Sequence, residues 1–301
     1  MVGSRLCEFL RDEGAHVMGF DDESRGTFRV AGCEYYIGDA SDFAEWMRMF
    51  AYRHLQPFAV FNLAAAVGGV YYNQSNHTSQ FIKNVELQTV PAMVAAARKI
   101  PVFVQVSSVC VYADCWNDPA DEKAGHWEQP EPANAGYAWA KRMGENVCHW
   151  SFGDETRYMI VRPTNMFGIR DYFDERAHVI PAIIKKCLTL DKFEVWGGSQ
   201  TREFLYADDG ARGMIAVAEH GKTGEAYNLG TSGETKITIA DLARTIYTLT
   251  GSGADVTIDC NTVTGDRGRS TDSSKAQALG WKHRVSLEEG LGQVIEWYKS
   301  K

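Results

Sequence analysis

The chain lacks any apolar run approaching the ~20 residues that a membrane-spanning helix needs, and its first residues carry no signal-peptide pattern. A cytoplasmic protein is expected. Cysteines are few, seven in 301 residues, odd in number and scattered at Cys7, Cys33, Cys110, Cys115, Cys148, Cys187 and Cys260. No two form a C-x-x-C pair, so neither a zinc site nor a disulfide framework is indicated, and reduced thiols are expected. An excess of positive charge is also missing. The 31 Lys and Arg face 39 Asp and Glu, a formal net charge of -8, which argues against general binding to nucleic acid or anionic membranes. A local basic pocket for a diphosphate is compatible with that balance. There is no internal repeat, low-complexity stretch or linker. What is present, 45% hydrophobic and 23% charged residues, is the composition of a folded protein with a full core.

Leu6, Phe9 and Leu10 fall at helical spacing and predict a helix over residues 4–13, ended by Gly14. Short apolar runs predict strands over 16–20, 34–37, 58–63 and 102–106, with a helix over 81–99 before the last. Strands alternating with helices of this length predict an α/β fold, a Rossmann-type doubly wound parallel sheet covered on both faces. Further strands are predicted over 158–162 and 225–229, and helices over 242–250 and 287–299. Residues 1–165 are read as the dinucleotide-binding domain. Residues 166–301 are read mainly as a smaller interleaved substrate lobe, with segments near 200–215 returning to the first domain. Residues 1–4 look like the end of a glycine-rich dinucleotide turn, with Gly3 as its last glycine. Such a turn normally follows a strand and carries two earlier glycines. The sheet's first, central strand is therefore expected to be missing from this sequence. The plain alternative is that Gly3 is an ordinary small residue.

In sheets of this kind ligands bind beyond the carboxyl ends of the strands, and the residues there carry chemistry. Ser107 and Ser108 directly follow the predicted strand 102–106, and Tyr137 and Lys141 form a Y-x-x-x-K pair further on. Residues four apart share a helix face. The ammonium can lower the tyrosine pKa and hold a nicotinamide ribose, while the serine hydroxyl binds the substrate oxygen that exchanges a proton with the phenol. Each piece alone is common, a solvated helix face or a serine-rich strand exit. Their order along the chain is the signal.

With these residues the chain resembles the extended short-chain dehydrogenase/reductases that act on nucleotide sugars, over nearly its whole length. The resemblance implies NAD as cofactor, a nucleotide-diphosphate sugar as substrate and a homodimer. It assigns Asp21 to the adenosine ribose hydroxyls and Asp39 to the side of the adenine. Asn62, Leu63, Ala64 and Ala65 match the H-L-A-A turn with Asn for His, and Asn84 falls where the family has a helix asparagine. Residues 162–168 match R-P-x-N-x-Y-G with Phe167 for Tyr, which assigns Asn165 to the substrate. Residues 200–204, with Arg202, match the stretch that closes the sugar-nucleotide site, and Arg267-Gly268-Arg269 match the late diphosphate contact, assigned to Arg269.

Two branches fit best, GDP-mannose 3,5-epimerase and GDP-fucose synthase. Residues 64–69, ending in Gly68 and Gly69, look like their A-A-x-x-G-G substrate loop, and Gln74-Ser75-Asn76-His77 like the Q-S-N-H of the former. Cys110 falls on the cysteine that both enzymes use to exchange sugar protons. His178, in 177–181, resembles the second proton-transfer group of the synthase; the epimerase has a lysine, aligned here with Asp174. The resemblance thus implies catalysis by Ser108, Tyr137, Lys141, Cys110 and His178. A plain reading also exists, Cys110 as a small apolar residue at a strand exit and His178 as a surface or capping group. Asp21 and Asp22 favour NAD over NADP, because a carboxylate repels a 2'-phosphate, and Arg25 reads as a solvated loop charge. The leading expectation is C3/C5 epimerisation of a GDP-hexose or GDP-heptose. A nucleotide-sugar 4-epimerase, a 4,6-dehydratase, a GDP-4-keto-6-deoxy-sugar epimerase/reductase and a non-catalytic binding protein on the same scaffold are the alternatives.

Overall fold

A computed structural model describes residues 1–53, 55–69, 75–113, 119–130, 132–260, 268 and 270–301. The chain opens with a helix Val2–Asp12, and Gly14 leaves it at φ +88°, a backbone that suits only glycine without strain. Next come β1 (Met18–Asp21), β2 (Glu34–Ile37), a helix Phe43–Arg53, β3 (Ala59–Asn62), a helix His77–Ala97 and β4 (Val102–Val106). Then follow a helix Ala135–Ser151, β5 (Arg157–Pro163), β6 (Asn165–Phe167), a helix Val179–Thr189, β7 (Lys192–Trp196), β8 (Thr201–Arg202) and β9 (Phe204–Tyr206). The remainder is a helix Ala207–His220, β10 (Ala226–Leu229), β11 (Ile237–Thr238), a helix Ile239–Thr250, β12 (Asp255–Asp259), a short helix Ser274–Gln277 and a helix Leu287–Lys299.

The main sheet runs β10-β5-β4-β3 with every pairing parallel. Every residue of β4 is buried, because successive side chains enter opposite layers. Val102, Val104 and Val106 meet Met159, Val161, Met214 and Leu229 on one side, while Phe103 meets Leu87, Val94 and Cys148 on the other. That is the doubly wound α/β arrangement that the alternating pattern predicts. β1 and β2 form a separate parallel pair. Among the described residues β1 pairs only with β2 and β3 only with β4. A further core gathers Phe167, Ile184, Phe193, Phe204, Leu242, Ile246 and Leu291, and the parallel pair β7–β12 contributes to it.

The helix expected over 81–99 starts a turn earlier, at His77, where the Gln80 amide already bonds the Asn76 carbonyl at 2.9 Å. Pro91 stands inside this helix. A proline has no N–H for the carbonyl four residues back, here Leu87. That carbonyl instead accepts the Asn62 side-chain amide at 3.0 Å, which ties the end of β3 to the middle of the helix.

Candidate active site

The turn after β3 is clamped from the helix His77–Ala97 at two further points. Asn84, fully buried, bonds Ala66 in both directions, accepting its N–H at 2.9 Å and donating to its carbonyl at 2.8 Å. One helical turn on, Gln88 donates to the Ala64 carbonyl at 2.8 Å. Asn62 completes the turn by accepting the Ala64 amide at 3.3 Å. Leu63 packs against Leu6, Ala211 and Ile215, and Ala65 is half-buried between the two clamped residues.

Beyond β4 the chain enters a 3-10 turn at Val109–Val111, with Ser108 as its extended N-cap accepting the Cys110 amide at 3.2 Å. The same hydroxyl hydrogen-bonds Tyr137. Tyr137 rises on the helix Ala135–Ser151, whose first residues approach the helix His77–Ala97 so closely that a Cβ at Gly136 would stand 2.4 Å from the His77 carbonyl oxygen. Lys141, one turn further, is 1% exposed. Its ammonium donates to Val106 O at 2.6 Å and Gln88 Oε1 at 2.9 Å, and lies 5.5 Å from the centre of the Tyr137 ring. Burial lowers the Lys141 pKa to about 7, against the opposing pull of Cys110 and Glu145. Burial and the neighbouring Cys110 thiol push the Tyr137 phenol well up, and the Ser108 hydrogen bond only partly offsets them. The expected lowering of Tyr137 by Lys141 is therefore not what this arrangement gives. The lysine lies over the ring with its protons turned to Gln88 and Val106. Ser108, Cys110, Tyr137 and Lys141 nevertheless form one cluster.

Behind it lies a buried network that sequence reasoning missed. Glu145, one turn after Lys141, takes a two-pronged ion pair from Arg162 at 3.0 and 2.6 Å, a short hydrogen bond from the Ser107 hydroxyl, and the approach of His126 Nε2 to 2.9 Å. Burial would raise its pKa, but Arg162 and then His126 hold it well below the carboxylate range. Arg162 also bonds Tyr112 Oη at 3.2 Å, and Tyr112 donates to Asn228 at 2.6 Å. Arg162, the first residue of the R-P-x-N-x-Y-G match, thus neutralises a carboxylate one turn from Lys141.

The other predicted residues lie around this cluster. Gly3 sits inside the first helix rather than in a turn before it, and a Cβ there would meet nothing within 4 Å. Asp21 ends β1 exposed, its carboxylate accepting the Glu23 amide at 2.7 Å. Asp39 is engaged by Lys83 at 2.6 Å and by Ser41; burial would raise its pKa, and these partners lower it. Gly68 is buried, and Gly69 lies against the loop before His178, its amide on Arg176 O at 3.0 Å and its Cα so near Ala177 O that a Cβ would meet it at 2.8 Å. Asn165 opens β6 and donates to Glu203 O at 2.9 Å, and Arg202 bonds Thr201 O and Gln200 Oε1. Gln74, Arg267 and Arg269 lie outside the described residues.

His178 stands apart from the serine–tyrosine–lysine cluster, as the N-cap of the helix Val179–Thr189. The residue is exposed at the molecular surface, yet protein packs around its imidazole. That crowding lowers its pKa; Asp171 opposes the shift, Arg25 reinforces it and Asp174 opposes it. Arg25 is not a solvated loop charge. Its guanidinium bonds Val67 O at 3.2 Å and Asp174 at 3.0 Å and stacks 4.2 Å from the Tyr172 ring centre. The Asp174 side chain is thereby committed to an ion pair, and its pKa is lowered despite partial burial.

The profile of the NAD dependent epimerase/dehydratase family matches residues 1–230. A probable GDP-L-fucose synthase 1 of Oryza sativa subsp. japonica is 32% identical over 246 residues, covering 78% of this chain and 74% of its own. The GDP-L-fucose synthase of Sinorhizobium fredii is 29% identical over 310 aligned residues, covering 100% of this chain and 93% of its own. The crystal structure of a UDP-glucose 4-epimerase from Thermotoga maritima superposes with a TM-score of 0.87 at 23% identity, covering 100% of this chain and 96% of that one. No helix among the described residues is long and apolar enough to cross a membrane. On sequence and fold together, the chain belongs to the NAD dependent epimerase/dehydratase family, an enzyme family of the extended short-chain dehydrogenase/reductase type.

Proposed function

We propose that this enzyme epimerises C3 and C5 of a GDP-hexose or GDP-heptose through a transient 4-keto sugar, using NAD. The observation that carries the reading is the thiol of Cys110 inside the Ser108–Tyr137–Lys141 cluster, near enough to act electrostatically on both Tyr137 and Lys141. A proton-exchanging group is needed there only if ring carbons beside C4 are also worked on. The GDP-L-fucose synthase relatives support a GDP-sugar.

The residues present fit a nicotinamide dinucleotide. The first turn of the helix Val2–Asp12 carries no acidic residue and no side-chain cap, and nothing stands within 4 Å of the side-chain position at Gly3, as a helix N-terminus facing a diphosphate requires. Asp21 would take the adenosine ribose, which favours NAD; Asp39, Leu63, Ala64 and Ala65 would line the adenine and the turn, Asn84 would hold that turn from behind, and Lys141 would take the second ribose. NAD held there would supply a hydride acceptor for C4 and a donor for its return. Tyr137 would exchange the O4 proton while Ser108 holds that oxygen, a role that needs the positive charge of bound NAD to counter the burial that pushes the phenol up. The ketone acidifies the protons on C3 and C5. Cys110 and His178 then remove and return them on opposite ring faces, with Gly68, Gly69, Asn165, Arg202 and Arg269 holding the nucleotide sugar. We assign residues 1–165 mainly to the cofactor and 166–301 mainly to the sugar nucleotide, with the return to the sheet running through the helix Ala207–His220 and β10. The separate surroundings of His178 favour a second reading, a C4-epimerase in which it plays no part.

A cytoplasmic homodimer completes the proposal. Phe81, Ile82 and Met93 on one helix, and Trp139, Met143 and Trp150 on the next, are large apolar side chains left exposed, a surface that a second copy would cover. The test of the central assignment is Tyr137→Phe. Turnover should fall at least ~100-fold with cofactor and nucleotide-sugar binding retained, because the phenol acts mainly in the transition state. Near-wild-type turnover would remove the assignment.

A further inference from the structure

We propose that Gln88 is a positioning residue that fastens the Lys141 side chain and the Ala64 turn into one hydrogen-bonded unit. The inference deepens the reading above, in which Lys141 and that turn serve the cofactor. Gln88 is fully buried in the helix His77–Ala97. Its Nε2 donates to Ala64 O at 2.8 Å, and its Oε1 accepts from Lys141 Nζ at 2.9 Å and from Gln105 Nε2 at 2.6 Å. The orientation of the amide follows from its partners. An ammonium only donates and a carbonyl only accepts, so the oxygen must face Lys141 and the nitrogen Ala64.

The ring closes through neighbouring groups. Gln105 Oε1 accepts from Asn62 Nδ2 at 3.1 Å, and Asn62 Oδ1 accepts the Ala64 amide at 3.3 Å. Asn62, Gln88, Gln105 and Lys141 are each at most 4% exposed, so no member can exchange its partner for bulk water without opening the core. Gly144 makes the space. A Cβ there would stand 2.7 Å from Gln88 Cβ and 2.9 Å from Gln105 Nε2. Two buried glutamines and a glycine on three different elements thus pack together, and Gln88 among them holds the lysine.

A neutral amide suits the position for a chemical reason. It gives the buried ammonium an acceptor without a full negative charge, which leaves Lys141 able to lose its proton near neutrality. The titratable groups facing Lys141 are Cys110 from the turn after β4, and Glu145 and Tyr137 from its own helix. A carboxylate in place of the amide would lock the lysine in its charged form and would set an anion against the Ala64 carbonyl.

The experiment follows the Lys141 side chain by NMR in the full chain carrying lysine labelled with carbon-13 at Cε, its signal assigned by its absence in Lys141→Met. Gln88→Glu should raise the Lys141 midpoint by roughly one pH unit or more, as an opposite charge at hydrogen-bond distance does. Gln88→Leu should move it the other way and weaken NAD+ binding by about tenfold, the value of one lost buried hydrogen bond. If Gln88→Leu does not fold, the isosteric Gln88→Glu alone decides. An unmoved Lys141 midpoint in folded Gln88→Glu would overturn the inference. Failure of the sugar reaction in the wild type would instead strike the functional reading and leave these shifts in place.

Discussion

Replacing Lys141 by methionine should stabilise the protein while destroying its activity. Wild-type Lys141 is 1% exposed, and burial lowers its pKa from 10.5 to about 7. At 1.36 kcal/mol per pH unit, that drop corresponds to roughly 5 kcal/mol of penalty on the charged form. Methionine removes the charge and fills a similar volume. It leaves Val106 O without the lysine donor at 2.6 Å, a loss of about 1–3 kcal/mol, while Gln88 Oε1 keeps Gln105. The net gain should be about 2–4 kcal/mol near pH 7. The sign with pH follows from linkage. The unfolded lysine binds its proton up to about 10.5 and the folded one only up to about 7, so between these values the unfolded state holds more protons and wild-type stability rises with pH. Below pH 7 the penalty is present in full; towards pH 10 it fades, and the two proteins converge. Urea unfolding of both from pH 6 to 10 measures the difference. A variant less stable than wild type at pH 7, or a gap that does not narrow above it, would refute the reasoning.

Arg162→Met should cost about 3–5 kcal/mol, because it strands the buried Glu145 carboxylate; a loss below ~1 kcal/mol in urea unfolding would mean that the pair is not what neutralises Glu145. Trp139→Glu together with Met143→Glu should yield a monomer by light scattering at micromolar concentration, with the wild type a dimer. A wild-type monomer there would contradict the proposed interface.

Much of this fold could be read locally. The apolar run at 102–106 is β4 residue for residue, and the spacing at 287–299 is the last helix without correction, because each depends on periodicity alone. Ser108, Tyr137 and Lys141 were legible for the same reason, as spacings relative to a strand and along a helix. What escaped came from meetings between distant segments. Nothing at Gln88 or Glu145 marks them as neighbours of Lys141, since buried polar residues are recognised only by what surrounds them. The proline at 91 was a possible hint, because a mid-helix proline always frees one carbonyl for an outside donor. Arg25 reads as a solvated charge in the sequence because loop charges usually are, and only the fold brings Asp174 and Tyr172 to it.

The measurement that bears most directly on the central claim is deuterium incorporation at each ring carbon of GDP-mannose and related GDP-sugars incubated with the enzyme in deuterated water, read by NMR. Label at C3 and C5 with inversion is expected in the wild type. Cys110→Ser should lose both while substrate still reduces the enzyme's NAD, and His178→Asn should keep at most the label without completed inversion. Label and inversion at wild-type level in both variants, or change confined to C4, would contradict it and make the enzyme a C4-epimerase.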